Sequence, residues 1–172
     1  MPGPNLKRST WRAVAGNSIG GCVLDRPVGG GDFSTVWAAH SSDGEPVGVK
    51  IMKSPAVEQP MVRARFSRQA LMGRRLQGPH FLRVRASGVE QGCAFIVTEL
   101  LVGEDLEERL FRAGQLSVAE TCELLRQLGE GLAVVHDRGI IHRDIKPSNV
   151  FFSRSPIGVE TLKILDFGFA CA

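Results

Sequence analysis

The chain has 172 residues, of which 43% are hydrophobic and 23% charged, with a net charge of +3. This is the balance of a globular domain rather than a disordered tail. Its four cysteines form no CxxC pair or Cys/His cluster, which excludes zinc and redox motifs and favours reduced thiols. The most apolar stretch, residues 95–102, is too short to cross a bilayer, and no signal peptide is evident, so we expect a cytoplasmic protein that does not enter membranes.

The first half of the chain shows mainly strand patterns. Residues 1–20 are rich in Pro, Gly, Ser and Asn and lack periodicity, so we predict a flexible leader. A Ser-Ser-Asp-Gly turn between two apolar runs indicates a hairpin. A later run that lacks Gly and Pro apart from Gly73 indicates a helix. The predicted strands are 36–39, 47–52, 81–86 and 94–100, and the predicted helix is 62–76.

The second half shows a predominantly helical pattern. Ser117 and Glu120 form a capping-box pattern at the start of a predicted helix, and Gly139 is predicted to end it. A β-rich half followed by an α-rich half predicts an α+β fold with two lobes. The predicted elements are a helix from 117 to 136, strands at 150–152 and 162–165, and a linker near 99–105.

Two short motifs contain groups suited to phosphoryl transfer. The run His-Arg-Asp-Ile-Lys-Pro-Ser-Asn contains a carboxylate, Asp144, followed by a cation, Lys146, and an amide, Asn149. The carboxylate can accept a proton from a hydroxyl, the cation can neutralise a moving phosphoryl group, and the amide oxygen can bind Mg²⁺. A later Asp-Phe-Gly motif supplies a second metal-binding group, Asp166.

These motifs resemble those of eukaryotic-type Ser/Thr protein kinases, and the neighbouring Gly-Ile-Ile and Ile-Lys-Pro sequences are similar to the bacterial branch. The resemblance covers residues 21–172. It implies a kinase-like N-lobe at about 21–100, with a five-stranded antiparallel sheet and one helix. A hinge at about 99–105 and a partial helical C-lobe at 106–172 would follow. The resemblance also implies ATP and Mg²⁺ as cofactors and a protein substrate with a Ser or Thr hydroxyl.

The run Val-Gly-Gly-Gly-Asp-Phe-Ser-Thr-Val resembles the glycine-rich phosphate loop of this family, in which backbone N–H groups approach phosphate oxygens. Gly29 and Gly31 match the pattern, and Ser34 stands at the third glycine position. Val36 is expected to pack on the adenine ring, with Gly48 where the family usually has Ala. The loop residues implied to bind ATP are Val28, Gly29, Gly30, Gly31, Asp32, Phe33, Ser34, Thr35 and Val36.

Lys50 resembles the lysine that holds the α- and β-phosphates in the family. A glutamate on the following helix normally orients this lysine, but Gln69 stands at the fitting position, and residues 59–89 contain no Asp or Glu. A neutral acceptor is weaker than a charged one by about 1 kcal/mol or more. We therefore expect an activity that is reduced but not abolished.

The remaining nucleotide contacts are implied by the resemblance around the hinge. Thr98 would lie beside the adenine pocket, and the backbone groups of Glu99 and Leu101 would pair with the adenine edge. Asp105 stands where a carboxylate usually meets the ribose hydroxyls. Phe151 would close the adenine pocket while also packing in the core.

His142 and a run of arginines have alternative interpretations. For His142 we prefer the packing role that it has in the family. Three interpretations of the arginines are open. The default is a solvated face, the second is a docking surface for an acidic partner, and the third is a nucleic-acid patch. We expect no nucleic acid, because only Phe66 and Phe81 interleave with them. The arginines are Arg63, Arg65, Arg68, Arg74, Arg75, Arg83 and Arg85.

The sequence stops shortly after Asp-Phe-Gly, before the activation segment and buried helix of the family. We therefore expect a C-terminally truncated domain with one face of the 117–137 helix uncovered, which a partner chain could cover. The main hypothesis is an ATP- and Mg-dependent Ser/Thr kinase, impaired by truncation and by Gln69. The alternatives are a nucleotide-binding pseudokinase or regulatory scaffold, a product without independent function, and a small-molecule kinase. The complete motif set argues against the last of these.

Overall fold

In a computed structural model, which describes residues 11–53 and 59–171, the chain divides into two compact units. The first unit comprises the described residues up to Ala70 together with Val84–Leu100. The second comprises Leu71–Arg83 and the chain from Leu101 onward, so the division is less simple than the boundary predicted at residue 100. Within the described ranges, none of the helices has the length and apolar character that crossing a membrane requires.

The first unit is built on six strands. They are β1 (Ser18–Ile19), β2 (Cys22–Gly30), β3 (Ser34–Ser41), β4 (Pro46–Met52), β5 (Val84–Glu90) and β6 (Cys93–Glu99). They form one antiparallel sheet in the order β1-β2-β3-β4-β6-β5. The five predicted strands are thus present as β2 to β6, and β1 adds a sixth at one edge.

Part of the predicted leader belongs to this sheet. Residues 1–10 lie outside the described residues, but β1 pairs with the start of β2 and its Ile19 is fully buried. Gly20, which follows β1, donates its N–H to the carboxylate of Glu90 at 2.8 Å. The boundary predicted at residue 20 therefore falls too late. One buried isoleucine fixes this segment to the core, and the local composition does not reveal it.

Helix α1 (Pro60–Arg75) corresponds to the helix predicted at 62–76. In the first unit, its Phe66 packs in a small apolar cluster with Met52 and Ile96. Beyond Ala70 the helix belongs to the second unit. Leu76, just after the helix, is buried in the core of that unit. The apolar positions of α1 are thus divided between two cores.

The arginine run lies mostly in solvent. Arg85 forms an ion pair with Glu45 in the first unit. This exposure fits the interpretation of a solvated face. The exposed members of the run are Arg63, Arg68, Arg74, Arg75, Arg83 and Arg85.

The second unit combines a small sheet with helices. Its strands are β7 (Gly103–Asp105), β8 (Val150–Arg154) and β9 (Glu160–Ile164), and its further helices are α2 (Leu106–Ala113) and α3 (Val118–His136). The strands form an antiparallel sheet in the order β7-β8-β9. Leu124 and Val135 of α3 belong to one buried cluster with Phe152, Leu162 and Ile164 of the sheet. Burial of these side chains supplies the main driving force for packing α3 on the sheet.

Helix α3 begins and ends as its sequence predicts. The Ser117 hydroxyl accepts a hydrogen bond from the Glu120 N–H at 3.2 Å, and the Glu120 carboxylate accepts one from the Ser117 N–H at 2.8 Å. The predicted capping box is therefore confirmed. The helix ends at His136, and Gly139 then turns the chain with a φ of 69°. Such a positive φ favours glycine because it has no Cβ.

The start of the strand predicted nearest to β5 is wrong. The strand predicted at 81–86 begins at Val84 instead, because Phe81 is buried in the core of the second unit and forms only an isolated bridge to Ile164. The turn lies at Gln91 and Gly92, whose φ values are 51° and 76°. Two consecutive positive φ values match the tight turns that suit β-hairpins.

Helix α2 and strand β7 were not predicted. The Asp105 side chain accepts a hydrogen bond from the Glu108 N–H at 2.8 Å, and the Glu108 carboxylate accepts one from the Asp105 N–H at 3.1 Å. This second capping box is visible in the sequence as Asp-x-x-Glu. It could have placed the start of α2.

The packing of α3 on β9 predicts opposite effects for two glycine-to-alanine changes in the same helix. A Cβ at Gly131 would lie 2.7 Å from Ile164 Cδ1 and 3.0 Å from His80 Cβ, whereas a Cβ at Gly129 would meet nothing within 4 Å. We expect Gly129→Ala to stabilise the protein by about 0.5–1 kcal/mol, because alanine loses less entropy in a helix. We expect Gly131→Ala to destabilise it by about 1–3 kcal/mol through overpacking. Chemical denaturation of both variants would measure this, and equal effects would contradict the close packing.

Candidate active site

The glycine-rich turn joins β2 to β3 in the first unit. Its predicted residues lie at the end of β2, in a three-residue tip, Gly31 to Phe33, and at the start of β3. The tip is closed by a hydrogen bond from Gly31 N to Ser34 O at 2.9 Å. Gly30 has a φ of 147°, and a Cβ there would lie 2.6 Å from Ser34 O. A glycine is therefore required at residue 30.

Lys50 lies on β4, directly opposite Val36 of β3. Its Nζ donates a hydrogen bond to Gln69 Oε1 of α1 at 2.8 Å, as predicted for this pair. The amide oxygen holds the position of the ammonium group but carries no formal charge to neutralise it.

Thr98 and Glu99 lie at the end of β6, beside Gly48 of β4. The Thr98 hydroxyl donates to Glu99 O at 2.9 Å and lies 3.4 Å from Gly48 O. A Cβ at residue 48 would come within 2.8 Å of Thr98 Oγ1 and 3.2 Å of Glu99 O. This close approach explains the glycine at residue 48.

Asp105 and Phe151 are paired residues of β7 and β8 in the second unit. The Asp105 side chain caps α2 through Glu108 N. Phe151 is half-buried, whereas the following Phe152 is buried in the core. The sheet register therefore brings together the predicted ribose and adenine residues of this unit. Leu101 lies just before β7.

Arg109 fixes α2 to this sheet. Its guanidinium donates two hydrogen bonds to the Glu160 carboxylate, at 2.8 and 2.7 Å, and one to Glu104 Oε1 at 3.0 Å. It also lies 3.8 Å from the centre of the Phe152 ring. The hydrogen bonds from Arg109 lower the pKa of the Glu160 carboxyl. Arg112 supplies a further cation to Glu104, and this network lines a cavity of about 470 Å³.

Asp144, Lys146 and Asn149 converge in the second unit. Asn149 Nδ2 donates to the Asp144 backbone oxygen at 2.8 Å and to Asp144 Oδ2 at 3.0 Å. Lys146 Nζ lies 3.2 Å from the same Oδ2. No donor to Asp144 Oδ1 occurs within the described part of the chain. One carboxylate oxygen is therefore held by two groups, and the other is open.

His142 is buried, with 1% of its surface exposed. Its Nε2 donates to Leu165 O at 2.9 Å, and its Nδ1 accepts from the Asp144 N–H at 3.2 Å. Burial lowers the pKa of the imidazole, so the neutral ring, with one donor and one acceptor, fits both partners. These contacts agree with the packing role expected for this residue.

Asp166 follows β9 and adopts a left-handed conformation with a φ of 54°. Its Oδ1 accepts a hydrogen bond from the Gly168 N–H at 3.1 Å. The preceding Leu165 donates its N–H to Asn149 O at 2.8 Å. Phe167 packs edge-on against His142, with ring centroids 4.5 Å apart. The segment with Asp144 and Asn149 is therefore joined to the Asp-Phe-Gly motif by hydrogen bonds at Leu165 and by a buried aromatic contact.

Comparison with known proteins identifies the family. The family described as protein kinase domain matches residues 22–172, most of the chain. The chain belongs to the protein kinase family. The resemblance to Ser/Thr kinases stated from the motifs is thus confirmed.

Named relatives of this kinase domain include bacterial and plant proteins. It is 38% identical over 146 residues to the serine/threonine-protein kinase pkn2 of Myxococcus xanthus, covering 84% of this chain and 17% of the relative. It is 32% identical over 158 residues to the serine/threonine-protein kinase PknH of Mycobacterium bovis, covering 91% and 26%. It is 33% identical over 156 residues to the serine/threonine-protein kinase ATG1c of Arabidopsis thaliana, covering 90% and 21%. The chain thus spans only about a quarter or less of the length of these relatives.

The fold of the kinase domain is similar to that of solved kinase structures. The crystal structure of the PknI kinase domain of Mycobacterium tuberculosis matches with a TM-score of 0.77 and 23% sequence identity. The match covers 91% of this chain and 63% of the PknI chain. The predicted α+β, kinase-like fold is therefore confirmed.

The kinase domain brings the predicted site residues together in groups. In the first unit Lys50 meets Gln69, and Thr98 meets Gly48. In the second unit the groups are Asp105 with Phe151, and the cluster around Asp144. The roles of these residues, and the partner chain expected on the α3 face, stay predictions.

The buried neutral His142 predicts a loss of stability in mild acid. Its pKa is lowered from an ordinary value of 6.5 by burial, so the unfolded chain takes up a proton that the folded chain resists. The stabilising contribution is present above 6.5 and is lost as the pH falls below that value. Denaturation of wild type and His142→Gln from pH 7.5 to 5 should show a steeper decline in the wild type. An imidazole NMR titration with an ordinary midpoint near 6.5 would contradict the burial argument.

Proposed function

We propose that this kinase domain transfers the γ-phosphoryl group of ATP to Ser or Thr hydroxyls of proteins. The observation that carries the proposal is the arrangement around Asp144. Lys146 and Asn149 hold its Oδ2, while Oδ1 has no donor in the described residues. A fixed carboxylate with one open oxygen is suited to orienting a hydroxyl and accepting its proton.

The proposed step is a direct transfer of the phosphoryl group from ATP to the substrate hydroxyl. The substrate hydroxyl oxygen attacks the γ-phosphorus, and its proton moves to Asp144 Oδ1. The bond between the γ-phosphorus and the bridging oxygen breaks, and ADP leaves with the electron pair. Lys146, whose Nζ lies 3.2 Å from Asp144 Oδ2, would balance negative charge near the acceptor.

The donor set of the second unit fits a magnesium ion. The Asn149 amide nitrogen is committed to Asp144, so its oxygen is the atom left for a cation, and Asp166 offers a carboxylate. Mg²⁺ is usually held by one or two protein carboxylates, while substrate phosphates and water complete its shell. When bound, Mg²⁺ would neutralise phosphate charge.

The first unit is proposed to hold the rest of the nucleotide. Lys50, positioned by Gln69, would contact the phosphates, and the glycine-rich turn would present backbone N–H groups to them. Thr98 would lie beside the adenine, and the backbone of Glu99 would pair with its edge. In the second unit, the backbone of Leu101 and the Phe151 ring would contact the adenine, and Asp105 would contact the ribose.

The relatives support a protein substrate, since three of them are named as serine/threonine-protein kinases. The four cysteines are free thiols, which suits the reducing cytoplasm proposed from the sequence. Cytoplasm is also where ATP is available to such an enzyme.

Binding and chemistry can be tested separately on the 172-residue chain with Asp144→Asn as the matched variant. We expect Mg-ATP to raise the melting temperature of both proteins, since Asp144 is assigned to the acceptor rather than to the nucleotide. Transfer of labelled phosphate to a generic basic protein should fall about 10²- to 10⁴-fold in the variant, the usual contribution of a general base.

The outcomes separate the hypotheses. No thermal shift at millimolar Mg-ATP would exclude the proposed function. Binding without transfer in the wild type would favour a nucleotide-binding pseudokinase. Equal transfer by both proteins would show that Asp144 is not the base.

Gln69→Glu should raise the rate of phosphoryl transfer up to about tenfold, because a charged acceptor holds Lys50 more firmly and 1.4 kcal/mol corresponds to a tenfold rate change. Gln69→Leu removes the acceptor seen at 2.8 Å and should lower the rate. Steady-state rates of the three proteins at saturating ATP would test this. An unchanged or lower rate for Gln69→Glu would contradict the assigned pairing.

A further inference from the structure

One lysine outside the predicted site holds both ends of the tip of the glycine-rich turn. Lys53, just after β4, donates from its Nζ to Gly31 O at 2.7 Å. Its backbone N–H donates to Phe33 O at 2.8 Å. Gly31 N in turn donates to Ser34 O at 2.9 Å. The three-residue tip is thus bonded at its first and last carbonyl groups by a single residue.

The hydrogen bonds of the two carbonyl groups also determine where the N–H groups of the following residues point. A trans peptide unit is planar, so its C=O and N–H point in opposite directions. With Gly31 O directed at Lys53 Nζ, the Asp32 N–H points away from Lys53. With Phe33 O directed at Lys53 N, the Ser34 N–H also points away. Among the described residues, no protein acceptor receives the Asp32 N–H.

The lysine also limits the motion of a turn that its glycines would otherwise leave mobile. Gly29 and Gly30 precede the tip and Gly31 begins it, and glycine loses more conformational freedom on ordering than any other residue. A turn already held in one conformation loses less entropy when a ligand binds. The ligand that suits backbone N–H groups exposed at such a turn is an anion such as a phosphate.

We propose that Lys53 is a positioning residue that pre-organises the glycine-rich turn for the phosphates of a nucleoside triphosphate. The proposal rests on the ATP binding proposed above. It assigns Lys53 a function distinct from that of Lys50: Lys50 would contact phosphate, whereas Lys53 acts through the Gly31 and Phe33 carbonyls.

The test compares Lys53→Met, which removes the Nζ donor but keeps the backbone N–H, with Lys53→Arg, which retains a cationic donor. Arg63→Met is a control, because it removes one charge from an exposed position of the first unit. Calorimetry on the 172-residue chain would measure binding of Mg-ATP and of adenosine, which has no phosphate.

We expect Lys53→Met to weaken Mg-ATP binding about 3- to 10-fold, the loss expected for one hydrogen bond. Adenosine binding should be unchanged. Lys53→Arg should restore Mg-ATP binding to within about twofold of wild type, and Arg63→Met should match wild type. Amide exchange of Gly31, which bonds to Ser34 O, should be faster in ligand-free Lys53→Met.

Three results would overturn the proposal. One is equal Mg-ATP binding by Lys53→Met and wild type. Another is an equal loss of adenosine and Mg-ATP affinity, which would indicate general destabilisation. The third is weaker Mg-ATP binding with unchanged Gly31 exchange, which would indicate direct charge attraction. Failure of the wild type to bind Mg-ATP would refute the proposed function itself, and this inference with it.

Discussion

The second unit depends on one buried imidazole. His142 accepts a hydrogen bond from the Asp144 N–H and donates one to Leu165 O, so it joins the two segments that carry the proposed base and metal ligands. Only the neutral ring has one donor and one acceptor, and burial favours that form. Arg143 and Asp166, beside these bonds, both adopt a positive φ. Strained backbone of this kind persists where surrounding contacts determine it, and it is typical of functional sites.

In the first unit, the arrangement of the site depends on glycines that let neighbouring strands approach closely. Gly48 lets β4 lie close to Thr98, and Gly30 lets β2 lie close to the start of β3. Lys50 donates a hydrogen bond to the neutral amide oxygen of Gln69, which helps to fix the direction of its ammonium group. A neutral acceptor positions the lysine less firmly than a carboxylate would. We expect this weaker positioning to lower the rate of transfer.

Local patterns were sufficient to predict some parts of the fold and site. Asp144, Lys146 and Asn149 lie within six residues, so their convergence needs only one loop. The Ser117 capping box likewise involves neighbours in sequence. Contacts between distant segments could not be predicted in the same way. The core position of Phe81, which moved the start of β5, depends on its contact with Ile164 far along the chain. The contact of Lys53 with Gly31 joins an exposed side chain to a backbone oxygen, and no sequence pattern marks that geometry.

The Arg109 network constrains how this protein can vary. Arg109 is buried, whereas Glu104 and Glu160 keep 23% and 32% of their side-chain surface exposed. Loss of a carboxylate therefore leaves the buried guanidinium with fewer partners. We expect a neutral substitution at Arg109 to be better tolerated when Glu160 changes as well. Homologues should thus retain the pair or replace both residues together with apolar ones. We therefore expect the residues at positions 109 and 160, which lie 51 residues apart, to covary among homologues.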